Sequence, residues 1–247
     1  MTMTQVADGV HRFSDAYVNF YLVEGREGLT LVDSGLPAMW TPLERALQGE
    51  GFELGDIRAL VLTHAHFDHL GLAHRLHQEL RIPVWVHRED SYIARHPYRY
   101  RHERSRLVFA LTHPKGLPVL TSMAKAGAFK VQGLEDVRHF PGTGALPVPG
   151  SPEIVFSPGH TSGHCALFLR ERGILFSGDA LVTLDPYTQR KGPRIVAGAA
   201  TADSVLNLAS LKQLAATKAQ LVLPGHGEPW EAGIESAVSI ARANGPA

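Results

Sequence analysis

Apolar and polar positions divide the chain into short runs that alternate between strand and helix character. "YVNFYLVEG" (17–25) and "GLTLVDSG" (28–35) are β-rich and separated by a turn around Gly25–Gly28, which predicts a hairpin. "AMWTPLERALQGEG" (38–51) is helical in pattern and stops at Gly49 and Gly51. "IRALVLTH" (57–64) is an almost unbroken apolar run, as expected of a strand covered on both faces. Leu72, Leu76 and Leu80 then recur at helical spacing, and "IPVWVH" (82–87) reads as another short strand. The second half repeats this grammar. "EIVFSPGH" (153–160), "CALFLRE" (165–171) and "GILFSGDA" (173–180) are strands, and "TADSVLNLASLKQLAAT" (201–217) is a helix with Thr201 or Asp203 available as its N-cap. "AQLVLPGHGEP" (219–229) is a strand running into a turn before a last helix. Two halves, each of strands followed by helix, predict two packed sheets with helices outside them, an α/β sandwich.

Residues 88–130 break the pattern. They hold nine Lys or Arg against three acids, interleaved with Tyr92, Tyr98, Tyr100 and Phe109 and interrupted at Pro97, Pro114 and Pro118. The segment reads as a helical insertion between the two halves of one 1–247 domain, placed to act as a lid or pocket wall. Its arginines either solvate helix faces or meet an anionic substrate.

Composition narrows the function classes. The 24 basic and 24 acidic residues cancel, which argues against bulk binding to nucleic acid or an anionic membrane. No apolar run is long enough to span a bilayer, and the N-terminal stretch lacks the pattern of a secretory signal. A cytoplasmic protein acting on a small molecule, with homo-oligomerisation open, is the expectation. The single Cys165 lies in an apolar strand and reads as a small buried hydrophobe. Fourteen histidines are the one surplus.

Their placement carries chemistry. In "LTHAHFDHLG" (62–71), His64 and His66 leave a strand two residues apart and project to one side, with Asp68 and His69 following at the start of a helix. Three other strand ends each deliver one further metal-binding side chain beside glycine: His160 in "SPGHTSGH", Asp179 in "LFSGDAL" and His226 in "LVLPGHGEP". Imidazoles and carboxylates together suit zinc, and also iron or manganese. His74 and His77, on the next helix, read as residues of a solvated face.

At this point the chain resembles the metallo-β-lactamase-fold superfamily. His64-Ala65-His66-Phe67-Asp68-His69 matches its HxHxDH motif, and "LVDSG" (31–35), "PGHTSGH" (158–164), "SGDA" (177–180) and "PGHGEP" (224–229) match its other motifs in order. The resemblance implies an αββα four-layer sandwich with two divalent metal ions, most simply Zn2+, at one edge. By position, His64, His66 and His160 would hold one ion and Asp68, His69 and His226 the other, with Asp179 between them. Asp68 and Asp179 would be the catalytic carboxylates, and a hydroxide held between the metals the nucleophile. Asp33 would orient a ligand histidine, and His164 stands as a second supporting residue. The segment "LDPYTQRKGPR" (184–194) follows Asp179, so Tyr187, Arg190 and Lys191 are candidate substrate contacts.

The implied activity is hydrolysis of a small ester, thioester or lactone, in the glyoxalase II and lactonase-like branch. Asp179 stands where β-lactamases of the superfamily generally lack an aspartate. Too few residues follow His226 for the C-terminal glutathione-binding region of glyoxalase II. Val182 occupies the position of the tyrosine typical of acyl-homoserine lactonases. A phosphodiesterase or nuclease, an iron-dependent redox enzyme and an amide hydrolase are the alternatives.

Overall fold

A computed structural model describes residues 1–141 and 144–246. Strands β1 (Thr2–Ala7), β2 (Val10–Asp15), β3 (Val18–Gly25), β4 (Gly28–Val32), β5 (Ile57–Val61), β6 (Val84–Val86) and β7 (Arg138–His139) form one sheet in sequence order. It is antiparallel from β1 to β4 and parallel from β4 to β7. A second sheet uses β8 (Glu153–Phe156), β9 (Cys165–Leu169), β10 (Ile174–Gly178) and β13 (Leu221–Pro224), in the order β13-β10-β9-β8. Strands β11 (Val182–Leu184) and β12 (Lys191–Arg194) pair as a separate hairpin. Helices α1 (Trp40–Gly49) and α2 (Ala73–Leu80) belong to the first half. The intervening segment carries α3 (Ser91–Arg95), α4 (Arg106–Thr112) and α5 (Leu117–Lys125), and the second half carries α6 (Ser204–Ala216) and α7 (Ile234–Asn244).

The layers follow from two-residue alternation in strands that are apolar on both faces. In β3, Phe20 and Leu22 face outward onto Leu43 and Leu47 of α1 and Leu76 of α2, while Tyr21 and Val23 face inward. The inward side chains meet Leu167, Leu169, Ile174 and Phe176 of the second sheet. On that sheet's far side, Ala166, Phe168 and Leu175 pack against Leu211 and Leu214 of α6 and Val238 of α7. Helix, sheet, sheet and helix are therefore the four layers of the expected αββα sandwich. No described helix is long and apolar enough to cross a membrane.

Several details differ from the expectations. Strands β1 and β2 precede the first predicted strand. The 184–194 segment, for which no strand was predicted, runs from the end of β11 through β12. His74 and His77 are half-buried and not simply solvated: their Nδ1 atoms meet the carbonyls of Gly133 (3.1 Å) and Ile82 (3.0 Å). The 88–130 segment buries Ile93, Ala94, Tyr100, Val119 and Met123 in the outer core of the first sheet. Asp203 caps α6 by accepting from the Leu206 N–H at 2.8 Å, and Cys165 is buried.

Candidate metal centre

Every strand that leads into the site ends at the same edge of the sandwich. Strand β5 runs into Thr63–His69, β4 into Asp33, β10 into Asp179 and β13 into His226, while the turn between β8 and β9 carries His160 and His164. The two sheets are tied together there. Asn19 of β3 donates its backbone N–H to the Gly225 carbonyl (2.8 Å) and its side-chain amide to the carbonyls of Pro224 (3.0 Å) and Gly227 (2.7 Å). Tyr21 Oη donates to the Pro224 carbonyl at 2.7 Å.

His64, His66 and His160 bring ligand atoms together, as do Asp68, His69 and His226, with the atoms of each group within 4.8 Å of one another. Asp179 lies between the groups. Its Oδ2 is 3.5 Å from His160 Nε2 and 3.2 Å from His226 Nε2, and its Oδ1 is 3.5 Å from His69 Nε2. All seven side chains are buried.

The partners of the imidazoles assign their tautomers. His69 Nδ1 donates to Asp33 Oδ2 (2.9 Å) and His226 Nδ1 to the Tyr17 carbonyl (2.6 Å). The Thr201 hydroxyl gives its hydrogen to the Val196 carbonyl (2.7 Å), so it accepts from His160 Nδ1 (3.2 Å). The Thr63 hydroxyl likewise donates to Asp33 (2.8 Å) and accepts from His64 Nδ1 (3.1 Å). Four imidazoles thus present an Nε2 lone pair to the centre. His66 is turned the other way: its Nδ1 points at His160 Nε2, 3.0 Å away. The Nε2 atoms of His64 and His69 and Asp179 Oδ1 are buried without a hydrogen-bond partner among the described residues. Orphaned buried atoms of this kind are costly unless something binds them. Converging lone pairs and carboxylate oxygens are a donor set for cations, so the residues fit divalent metals.

Electrostatics agree. Burial, then the neighbouring imidazoles, holds His64 well below the usual histidine range. Burial lowers His160 to about 4. Burial opposes charge on Asp179, but His226 and His69 beside it hold its carboxyl well below the usual range. Burial also opposes charge on His69 and His226, yet Asp179 outweighs it, raising His69 and pushing His226 up to about 10. The two imidazolium protons sit on Nε2 and balance buried carboxylate charge; a divalent cation bound there would displace them, free the Nε2 lone pairs and take over that task.

The supporting residues have defined jobs. Asp33, at φ 59° in the left-handed region, accepts from the Thr63 N–H, the Thr63 hydroxyl and His69. His164 is kept neutral by burial, and its Nε2 accepts from the backbone N–H groups of Asp179 and Ala180, each at 3.1 Å. Its Nδ1 therefore donates to Ser157 Oγ (2.9 Å). His164 thus fixes the backbone that carries Asp179.

Sequence reasoning missed Asp90. This fully buried carboxylate accepts from the Ala65 N–H (3.1 Å), the Thr161 hydroxyl (2.8 Å) and the Gly163 N–H (2.8 Å). It joins the turn between His64 and His66 to the turn bearing His160. Burial raises its carboxyl to about 6 against the pull of those three bonds. Its only local signal was being one of three acids in an otherwise basic segment.

A narrow cleft opens over the centre. Asp68, Asp179, His66 and His226 form its floor, and Phe67, Leu120, Met123, Val196, Tyr100 and Tyr187 stand in its walls. Tyr187 thus lines the cleft. Arg190 and Lys191 are not brought there: the β11–β12 hairpin leaves both exposed, outside the lining.

Comparison with known proteins gives the family. The profile of the Metallo-beta-lactamase superfamily matches residues 14–226. The chain belongs to this superfamily. Among the superfamily's proteins, the probable metallo-hydrolase YflN of Bacillus subtilis (strain 168) is 29% identical over 241 residues, covering 91% of this chain and 86% of YflN. The metallo-beta-lactamase family protein TTHA1429 from Thermus thermophilus superimposes with a TM-score of 0.70 at 26% identity, covering 97% of this chain and 80% of that one. TTHA1623, solved in a di-iron-bound form, gives a TM-score of 0.64 at 28% identity, covering 91% of this chain and 95% of that one. The superfamily and its αββα fold are as the sequence motifs led one to expect, and its relatives include probable metallo-hydrolases such as YflN.

Proposed function

We propose that this chain hydrolyses a small ester, thioester or lactone at a pair of divalent metal ions. The observation that carries the reading is the position of Asp179, whose carboxylate touches members of both ligand groups at 3.2–3.5 Å. His64, His66 and His160 hold one ion, Asp68, His69 and His226 the other, and Asp179 sits between them. Zinc suits these donors, and iron or manganese can take them too; the di-iron form of TTHA1623 supports a pair of ions. Bound ions polarise a carbonyl oxygen and bring the pKa of water down to about 7.

The chain supplies the rest. Asp68 faces the cleft, where its carboxylate takes the proton that the attacking water loses and passes it to the leaving oxygen or sulfur as the scissile bond breaks. Asp33, Thr63 and Thr201 keep the imidazoles in the tautomers described, which removes a reorganisation cost. Phe67, Leu120, Met123 and Val196 exclude water and receive the apolar part of the substrate. Among the described residues no Lys or Arg lines the cleft and a single half-buried cation, Arg106, stands behind its Tyr100 wall, too little positive charge for the backbone of a nucleic acid, which favours an acyl substrate. The cleft holds only about 30 Å³ of water-accessible space, so substrate entry needs its lining side chains to move, among them Tyr100, Leu120 and Met123 of the 88–130 insertion, which forms the pocket wall.

The test is a panel of aryl esters, thioesters and lactones offered to protein stripped with chelator and then reloaded with zinc, iron or manganese. Turnover restored by metal, with Michaelis behaviour, is expected. Turnover that survives complete stripping refutes the reading.

A further inference from the structure

The 88–130 insertion carries six arginines, and the structure treats one of them differently. Arg88, in a short turn, and Arg95, Arg99, Arg101 and Arg104 are exposed, with Arg95 paired to Glu135 at 2.8 Å. Arg106 is half-buried at the start of α4 and forms no ion pair among the described residues. Its Nε is buried without a hydrogen-bond partner. Its guanidinium lies 4.0 Å over the ring of Tyr100, and that ring stacks on His66 at a centroid distance of 3.8 Å. The cation therefore sits one aromatic ring away from the metal centre, close enough for its charge to act on His66, Tyr100 and Tyr187.

We propose that Arg106 is the specificity-determining residue of the site, receiving a carboxylate that the substrate carries at the end remote from the bond that is cleaved. This deepens the hydrolase reading and rests on it. The Nη groups of Arg106 have no hydrogen-bond or ion-pair partner among the described residues and, unlike Nε, are not buried, so they offer the planar fork that a carboxylate fills bidentately. The contact with Tyr100 holds the guanidinium in place. One guanidinium matches one carboxylate, whereas a phosphate dianion calls for a second cation, and the cleft wall has none. The substrate class is thus an acyl compound bearing a free carboxylate, with a short apolar segment between that carboxylate and the carbonyl.

The probes are glutarate and butyrate, which share one carboxylate for the metals and differ in the second. Calorimetry on metal-loaded protein reads their binding. The wild type is expected to bind glutarate at least tenfold more tightly than butyrate. Arg106→Ala erases most of that preference, and so does Arg106→Lys, which keeps the charge and loses the fork. A merely structural role would weaken both acids alike, and that result overturns the proposal, as does a wild type without preference. Arg106→Lys keeps the test informative should Arg106→Ala fail to fold. The 4-nitrophenyl monoester of glutarate and 4-nitrophenyl butyrate separate the two layers of the account. Glutarate preference without turnover of either ester refutes the hydrolase reading and leaves Arg106 in its role. Equal kcat/KM on both esters with no glutarate preference overturns the role of Arg106 alone.

Discussion

Replacing Asp90 by alanine removes one buried carboxylate from the joint between two ligand-bearing turns. The Ala65 and Gly163 N–H groups lose their acceptor and stay buried, while the Thr161 hydroxyl can rotate. Two orphaned backbone donors cost about 1–3 kcal/mol each. Set against this is the strain the carboxylate itself brings. Its pKa of about 6, raised from 3.8, means that at pH 8 its ionised form opposes folding by about 3 kcal/mol. The two terms nearly cancel at pH 8, leaving a net change between about −1 and +3 kcal/mol, centred on a loss of about 1 kcal/mol. The sign with pH follows from the raised value. In the folded wild type Asp90 holds its proton up to about pH 6, so its contribution is most favourable in acid and is lost as pH rises through about 6. Between pH 8 and pH 5 the wild type regains about 1.4 kcal/mol from this group and the variant regains nothing. The deficit of Asp90→Ala therefore widens as pH falls.

Denaturant unfolding of metal-free protein at both pH values measures this. Metal titration supplies the second readout. Asp90 braces the turns of His64, His66 and His160 but bonds nothing around Asp68, His69 and His226. Affinity for one ion should fall about 10–100-fold while the other is retained. A deficit that shrinks toward pH 5, or equal weakening of both metal sites, refutes the reasoning.

Other expected outcomes are more direct. Asp179→Asn keeps the shape but removes the charge between the two ligand groups, so one metal equivalent should be lost and turnover abolished while the circular dichroism spectrum is unchanged. His164→Phe removes the acceptor for the Asp179 and Ala180 N–H groups, which should lower kcat more than it raises KM. Leu120→Ala and Met123→Ala should enlarge the cleft and shift preference toward longer acyl chains, read from kcat/KM across an ester series. Asp33→Asn should weaken metal binding about 10–100-fold, because the amide no longer accepts the His69 Nδ1 proton as a charged group does.

What the sequence disclosed tracks how local each signal is. His64, His66, Asp68 and His69 stand in one short run, and His160, Asp179 and His226 each follow a strand beside glycine, so direction and reach were readable without knowing the packing. Asp33 was readable for the same reason, as a residue leaving β4. Strands buried on both faces announced themselves as unbroken apolar runs. Strands β1 and β2 did not, because β1 is an edge strand with much of its surface exposed and its pattern is polar. Asp90 and Thr201 act through bonds to segments far along the chain, 71 residues in the case of Asp90 and Thr161, and no local pattern encodes such a meeting. Arg190 and Lys191 misled for the converse reason. They follow Asp179 closely in sequence, but pairing of β11 with β12 turns them to solvent. Tyr100 and Arg106 became legible only when the insertion was seen to fold back onto His66.

The central claim is a centre for two metal ions built from seven side chains, and counting the ions tests it most directly. Protein purified without chelator, reloaded with zinc and freed of loosely bound metal should carry two equivalents per chain by elemental analysis. The Asp179→Asn variant treated identically should carry one. A wild type that retains a single tightly bound ion, or none, would contradict the account.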